Sequence, residues 1–454
     1  MTRRIQTYAS DSADDRALSP EQVRRGQRLL LVETGLVRLM MASLTGLCLT
    51  GLIIELGGDA PHVGFMQSAM LLGGVFQVGT NSILTRVHSR KRFCLVALGT
   101  VRVLRLGIAA LPLVLWLGWP GTQVMYPLGA LLFIGAVFGM SAEVVRQSWI
   151  ADLVPVGVRG RFFGWRAFIG GFVLMIAVPA YGWFADFWKA SGGEGVQAFQ
   201  ILIAFGAGSG FASLWCVWRM PEPPMHRASR PTSLARSVAM PLRHGQFRWF
   251  IALHSSFSFA AGVCGGFFHY FMYTFLGMSY WLISWTDFVT HLVGLAAAPS
   301  WGTLADRWGT KRMLTMALVA KAIFPFLWLA ILPQWWYLVF AVVAVRVFNT
   351  AQEIGFVNLG LDLAPERDRA AYISVYRSAN NLARAIAPAL AGVLAAVIGN
   401  RVWQVGPLPV TALHVLMVIS GVLRLGSLFW LRKIREPDHA ALMEVAEDED
   451  LHHD

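Results

Sequence analysis

Residues Trp301 to Arg312 read WGTLADRWGTKR, and the reading of this stretch decides the fold. It joins two apolar runs, near 281–303 and 313–333, each long enough to cross a bilayer. Into one short connection it packs the acid Asp306, the cations Arg307, Lys311 and Arg312, and the glycines Gly302 and Gly309. An ordinary basic loop between membrane helices accounts for the cations but not for the acid or the glycines. Gly309 permits a backbone turn that a Cβ would strain, and Gly302 lets two helix ends approach closely. Asp306 stands just before an apolar run, where a carboxylate complements the positive end of a helix.

Outward from this loop, the composition is that of a membrane protein. Hydrophobic residues fill 56% of 454 positions, charged residues 14%, and mean hydropathy is +0.54. Soluble domains carry about 25% charge, and a membrane helix needs about 20 apolar residues to cross roughly 30 Å of hydrocarbon. Twelve segments satisfy that length, near 30–56, 63–85, 93–117, 124–151, 163–187, 197–218, 248–275, 281–303, 313–333, 336–361, 371–399 and 408–431.

The net charge of +12 would suit nucleic acid, but its placement does not. Lys and Arg gather in both tails and in alternate loops (86–92, 153–162, 219–248, 304–312 and 362–370), whereas the opposite loops carry only Lys189 and Arg401. This is the positive-inside pattern, and it puts both termini in the cytoplasm, under a plasma (inner) membrane. The first 28 residues are polar and Arg-rich with no apolar core, so no cleavable signal is expected there. Cys48, Cys94, Cys216 and Cys264 fall inside spans and read as free, apolar-packed thiols. His452 and His453 lie in an acidic tail that reads as solvated chain, so no metal or cofactor is expected.

The chain also repeats itself. Glu143, Asp152, Pro155 and Arg159 recur as Glu353, Asp362, Pro365 and Arg369, a shift of 210 residues that also carries Gly182 onto Gly392. An echo of the opening loop lies upstream in NSILTRVHSRK, residues 81–91, where Arg86, Arg90 and Lys91 match Arg307, Lys311 and Arg312. Thr85 stands there in place of Asp306, so the echo keeps the cations and lacks the acid.

Gly302, Leu304, Asp306, Arg307, Gly309, Lys311 and Arg312 fill every defined place of the pattern G-x-L-x-D-R-x-G-x-K-R. In this the chain resembles the major facilitator superfamily of secondary transporters, across essentially residues 29–433. The resemblance implies an all-α membrane protein of twelve transmembrane helices in two six-helix halves related as parallel repeats, with a site near the bilayer midplane between them. The halves would be 29–218 and 248–433, joined by a cytoplasmic linker at 219–247 and flanked by tails at 1–28 and 434–454. A short interfacial helix is expected after Pro231. The family's Asp latches the cytoplasmic side by reaching the opposite half. Here its targets would be the start of the fifth span and Arg159, Arg161 or Arg166.

Charges inside the spans are costly and therefore suspect. Nine residues before Asp152 and Asp362, or about 14 Å along a helix, Glu143 and Glu353 lie close to the midplane in equivalent places. Two readings stand: proton-exchanging or substrate-binding carboxylates, or ion pairs of Glu143 with Arg146 and of Glu353 with Arg346. Arg38 lies near the midplane of span one, as a substrate ligand or as a partner of Glu143. Asn380, Asn381 and Arg384 share span eleven, offering ligand contacts or helix-packing hydrogen bonds. Asp287 and His291, four apart, share a face as a titrating pair or as part of an interfacial cluster with Trp281 and Trp285. Arg102, Arg105, Lys321 and Arg424 read as structural pairs or snorkelling cations.

These features point to secondary active transport of a small organic solute by alternating access, coupled to protons, in a monomer. Bases outnumber acids around the expected cavity, which favours anionic or amphiphilic solutes. No G-x-x-x-x-G-K-[ST] loop is present, which disfavours an ATP-driven pump. A membrane-embedded lipid-modifying enzyme would need a metal cluster or nucleophile–base set in a substantial loop, so no enzyme is expected. A sensor built on a transporter fold is the remaining alternative.

Overall fold

The computed structural model describes residues 18–76, 89–155, 158–223, 234–365, 369–399, 401–406 and 408–435, without the side chains of 234–238, 306, 369–371 and 408. Arg86 and the His452–His453 tail lie outside the described residues. The first half contains α1 (Pro20–Ala42), α2 (Leu47–Glu55), α3 (Ala60–Leu72), α4 (Arg90–Ala110), α5 (Gly121–Leu153), α6 (Arg159–Ala190) and α7 (Gly195–Arg219). After α8 (Leu234–Arg243), the second half contains α9 (Gly245–Gly265), α10 (Phe267–Thr274), α11 (Tyr280–Trp308), α12 (Thr310–Trp328), α13 (Leu338–Ala344), α14 (Phe348–Leu363), α15 (Arg369–Ile398) and α16 (Ala412–Leu431).

Local sequence explains many of the boundaries. Ser19 and Gln22 form a reciprocal capping box ahead of α1, with Pro20 at its first turn. Pro127, Pro179, Pro299, Pro325 and Pro388 lie inside helices, a pattern that membrane helices tolerate because packed neighbours satisfy the freed carbonyls. Among the described residues, nine helical segments are long and apolar enough to cross a membrane. The other three expected spans also fall on helices: α3, extended by a 3₁₀ turn to Phe76, and α11 and α12, of 29 and 19 residues. Asp287 and His291 dilute the apolarity of α11, and Lys321 that of α12. One feature was not expected: a two-stranded antiparallel hairpin, β1 (Trp403–Val405) with β2 (Leu408–Val410), in the last connection.

Polar contacts fix which ends of the helices lie together. Lys91 at the start of α4 donates to Met220 O beyond α7, and Arg90 pairs with Asp152 at the end of α5. In the second half, Lys311 donates to Ile434 O beyond α16, and Gln246 at the start of α9 accepts from Arg435 N. The start of α1, the end of α7, the start of α9 and the end of α16 therefore share one end of the bundle, the tail end; Glu55, Lys189 and Tyr280 mark the far end.

The apolar packing separates the halves at one end and joins them at the other. A tail-end cluster of Leu30, Trp149, Leu153 and Val217 belongs wholly to the first half. Another, with Phe250, Leu314, Phe356 and Leu431, belongs wholly to the second. A third cluster draws on both, bringing Leu47, Phe199 and Ala198 together with Phe271, Trp328 and Leu416. Gly182 and Gly392, the pair related by the internal repeat, each serve a close contact between halves. A Cβ on Gly182 would come within 2.6 Å of Tyr280 O, and one on Gly392 within 3.0 Å of Pro61 O.

Candidate functional site

The first half holds a buried charge cluster between α1, α5 and α6. Glu33 is only 1% exposed, and Arg146 Nη1 donates to both of its carboxylate oxygens at 2.8 Å. Arg146 Nε donates to Glu143 Oε2 at 2.9 Å, while Gln147 Nε2 reaches Glu143 Oε1 at 3.2 Å. The expected pairing of Glu143 with Arg146 is present, whereas that of Glu143 with Arg38 is not. Two carboxylates on one guanidinium satisfy most of its donor fork, which is what permits the burial. Sequence reading missed Glu33. Its signal was an acid inside an apolar span, and only tertiary packing reveals its partner.

Beside this cluster lies a cavity of about 580 Å³ bounded by α1, α3, α4, α5 and α6. Its wall is mostly Met, Leu and Val, with Arg38, Arg102, Arg105, Arg146, Arg166, Glu33 and Glu143 projecting onto it. Arg102 is committed to Gly210 O, Leu98 O and Ser213 Oγ. Arg105 donates to Met40 O near the end of α1, where carbonyls lack helical partners. Both are buried structural ties and do not snorkel. Arg166 Nε donates to Thr34 Oγ1 at 3.1 Å. Arg38 makes no hydrogen bond or ion pair among the described residues, and it lies within electrostatic reach of Arg166 and of His291 in the second half.

The matching place in the second half is built differently. Phe356 stands where the 210-residue repeat would put an equivalent of Arg146, and it stacks on His254 of α9 at 3.9 Å. Glu353 is exposed and has no hydrogen bond or ion pair among the described residues. The expected pair of Glu353 with Arg346 is not formed. Arg346 Nη1 instead lies 3.5 Å from Asp287 Oδ1, with its guanidinium over Phe268 and Phe324. The reason is a 3₁₀ turn at Val345–Val347, which breaks the helix between Arg346 and Glu353 and cancels the shared face.

Asp287 and His291 lie within electrostatic reach of each other, but the hydrogen-bond partner of Asp287 is a different histidine. His269 Nε2 from α10 reaches Asp287 Oδ2 at 2.9 Å, closer than the neighbour on Asp287's own helix. Arg384, also on the second half, makes no hydrogen bond or close ion pair among the described residues but lies within electrostatic reach of Glu353. The buried side-chain atoms His254 Nδ1, Ser255 Oγ, Gln352 Oε1 and Asn380 Oδ1 lack hydrogen-bond partners. Asn381 approaches Gly74 of the first half, 3.4 Å from where a Cβ there would lie. Arg424 donates to Lys321 O and to the buried thiol Cys264 Sγ. All four cysteines are free and buried.

At the tail end, Gly309 caps both α11 and α12 with φ +83° and ψ +147°, backbone that only glycine adopts without strain. Gly302 does not serve a close helix approach: a Cβ there would meet nothing within 4 Å. The Asp306 side chain lies outside the described residues. Its expected targets remain within the first half, since Arg159 donates to Ala151 O and Val154 O and Arg166 to Thr34. Arg307 and Arg312 are exposed. The upstream echo is shifted by one residue from the sequence pairing: Ser89 caps α4 as Gly309 caps α12, and Lys91 and Lys311 make the equivalent carbonyl contacts.

The far end carries the polar contacts between halves. Asp186 of α6 accepts from Tyr280 N at 3.2 Å and Trp281 N at 2.8 Å, the first amides of α11. Glu55 accepts from Lys189 Nζ and from the Tyr280 hydroxyl, both at 2.7 Å. Lys189 also donates to the Tyr273 hydroxyl and lies over the Tyr280 ring.

Residues 265–447 match the family model described as Major Facilitator Superfamily. No curated protein matches the sequence significantly. Solved structures do share the fold. A mutant of the nucleoside transporter NupG has a TM-score of 0.71 at 13% identity, with 90% of this chain and 100% of that one covered. A D-xylose-proton symporter has 0.69 at 17% identity, with coverage of 91% and 98%. A bacterial homologue of the iron transporter ferroportin, in an inward-facing state, has 0.69 at 14% identity, with coverage of 92% and 99%. The match to that family is carried by residues 265–447, and the chain as a whole shares the fold of these solved transporters.

Proposed function

We propose that this chain carries a small organic solute across the plasma (inner) membrane by alternating access, as a monomer with both termini cytoplasmic. The observation that carries the reading is the division of the core: each half keeps its own apolar cluster at the tail end, while one cluster and a polar latch join them at the far end. Two bundles fastened at one end, one of them holding a charged cavity, can rock, which is the motion alternating access requires. The conformation then corresponds to one open toward the cytoplasm, with the Asp306 loop serving as the latch of the opposite state.

Proton coupling is assigned to Glu353. Glu143 is committed to the buried guanidinium of Arg146, whereas Glu353 is exposed and forms no hydrogen bond or ion pair among the described residues. Purified protein in liposomes, given an inward proton gradient and a panel of organic solutes, tests both parts. Accumulation driven by the gradient is expected in the wild type and lost at least ten-fold in Glu353→Gln. Binding with no flux for any solute would favour a sensor. Gradient-driven uptake that persists in Glu353→Gln would remove the carboxylate from the coupling role.

A further inference from the structure

The strongest unassigned feature is the pair of guanidiniums that face the first-half cavity with donors unspent. Arg102, Arg105 and Arg146 are committed to carbonyls or carboxylates. Arg166 spends only Nε, on Thr34, and Arg38 spends nothing. The two lie within electrostatic reach of each other. Gly170 of α6 leaves Arg38 its space, since a Cβ there would come within 3.0 Å of Arg38 Nε. An arginine remains charged at any physiological pH, and a charge held away from bulk water calls for a counter-ion. The carboxylates on the wall, Glu33 and Glu143, are already bound to Arg146, and Met41, Met70, Leu131 and Leu132 form an apolar wall.

On the transporter reading above, we infer that this cavity takes an amphipathic organic anion, with its anionic group on Arg38 and Arg166 and its apolar body against Met41, Met70 and Leu131. A volume near 580 Å³ suits a ligand of one or two rings. A bare inorganic anion would leave the apolar wall unfilled, and an organic cation would meet two arginines that form no ion pair among the described residues. Glu33 and Glu143 do not reverse this preference, because Arg146 already neutralises part of their charge.

Three probes with one apolar body and different charge test the inference: naphthalene-2-sulfonate, 2-naphthol and 2-naphthylmethylammonium. Each is titrated calorimetrically into the full chain in lipid nanodiscs, with empty nanodiscs subtracted and sulfate as the probe without an apolar body. The sulfonate is expected to bind at least ten-fold tighter than the other three. Arg38→Gln should weaken it at least ten-fold, and Arg38→Lys should recover part of the loss. Equal binding of the ammonium or the naphthol overturns the inference, as does equal binding of sulfate or undiminished binding in a folded Arg38→Gln. The transport reading is judged separately by flux. Sulfonate bound but never moved leaves this inference standing and the transport reading fallen, and gradient-driven uptake without sulfonate binding does the reverse.

Discussion

Glu143 and Glu353 occupy the same place in two copies of one structural unit, and their surroundings differ by one decisive side chain. Three residues on, the first half has Arg146 and the second has Phe356. Arg146 draws Glu143 and Glu33 into a closed ion cluster. Phe356 stacks on His254, and Glu353 forms no close ion pair among the described residues, with Arg384 and Lys321 only within electrostatic reach. Duplication supplied the same carboxylate twice, and the residue beside it ties one into a brace and leaves the other without an ion pair among the described residues. Counting intramembrane acids therefore says little about function until the residue one helical turn away is read as well.

The sharpest way to break this contrast is Arg146→Gln. It would strand Glu33, 1% exposed, and Glu143 without a cation. Breaking a buried ion pair from one side costs about 3–5 kcal/mol, so thermal unfolding of the purified protein should show a large loss of stability. Smaller is the effect of Phe356→Arg, which rebuilds the first-half arrangement in the second. An arginine three residues from Glu353 would pair with it as Arg146 pairs with Glu143. Gradient-driven uptake should fall about ten-fold, roughly 1.4 kcal/mol, whereas solute exchange without a gradient persists. Phe356→Leu, which offers no charge, should leave coupling intact.

The halves also differ where α4 and α12 begin. Ser89 caps the first with its side chain at ordinary φ, while Gly309 caps the second at φ +83°. Gly309→Ser should cost about 1 kcal/mol for the forced backbone. Ser89→Gly should cost only a few tenths. Chemical denaturation in detergent compares the two, and equal losses would show that the two junctions are not built on different backbone requirements.

The membrane fold was legible because it rests on local signals: apolar length, charge asymmetry between loops, and a glycine demanded by one backbone angle. Glu143 with Arg146 was legible for the same reason, as two residues three apart on one unbroken helix. Arg346 was misread because Val345–Val347 interrupts the helix on which its spacing to Glu353 was counted. For Asp287 the neighbour His291 was legible, but His269 arrives from another helix, which no spacing within 280–308 could reveal. Glu33 sits 113 positions from Arg146, so its pairing exists only once α1 and α5 are packed. The role given to Gly302 failed differently: the space around it depends on how the halves are disposed, a property of conformation more than of sequence.

The far-end latch joins a side chain to main chain, and that choice has an evolutionary consequence. Asp186 holds the Tyr280 and Trp281 amides, which ordinary substitutions at 280 and 281 retain. Hydrogen bonds to a charged group are worth about 1.5–3 kcal/mol, so losing Asp186 alone could shift the balance of orientations by ten-fold or more. The repeat places Ala396 where Asp186 has its counterpart, so the seam between α3 and α15 has no equivalent carboxylate. The molecule is thus bolted along one seam and merely fitted along the other, and the resting balance of a relative could drift through position 186 while its solute-facing walls stayed unchanged.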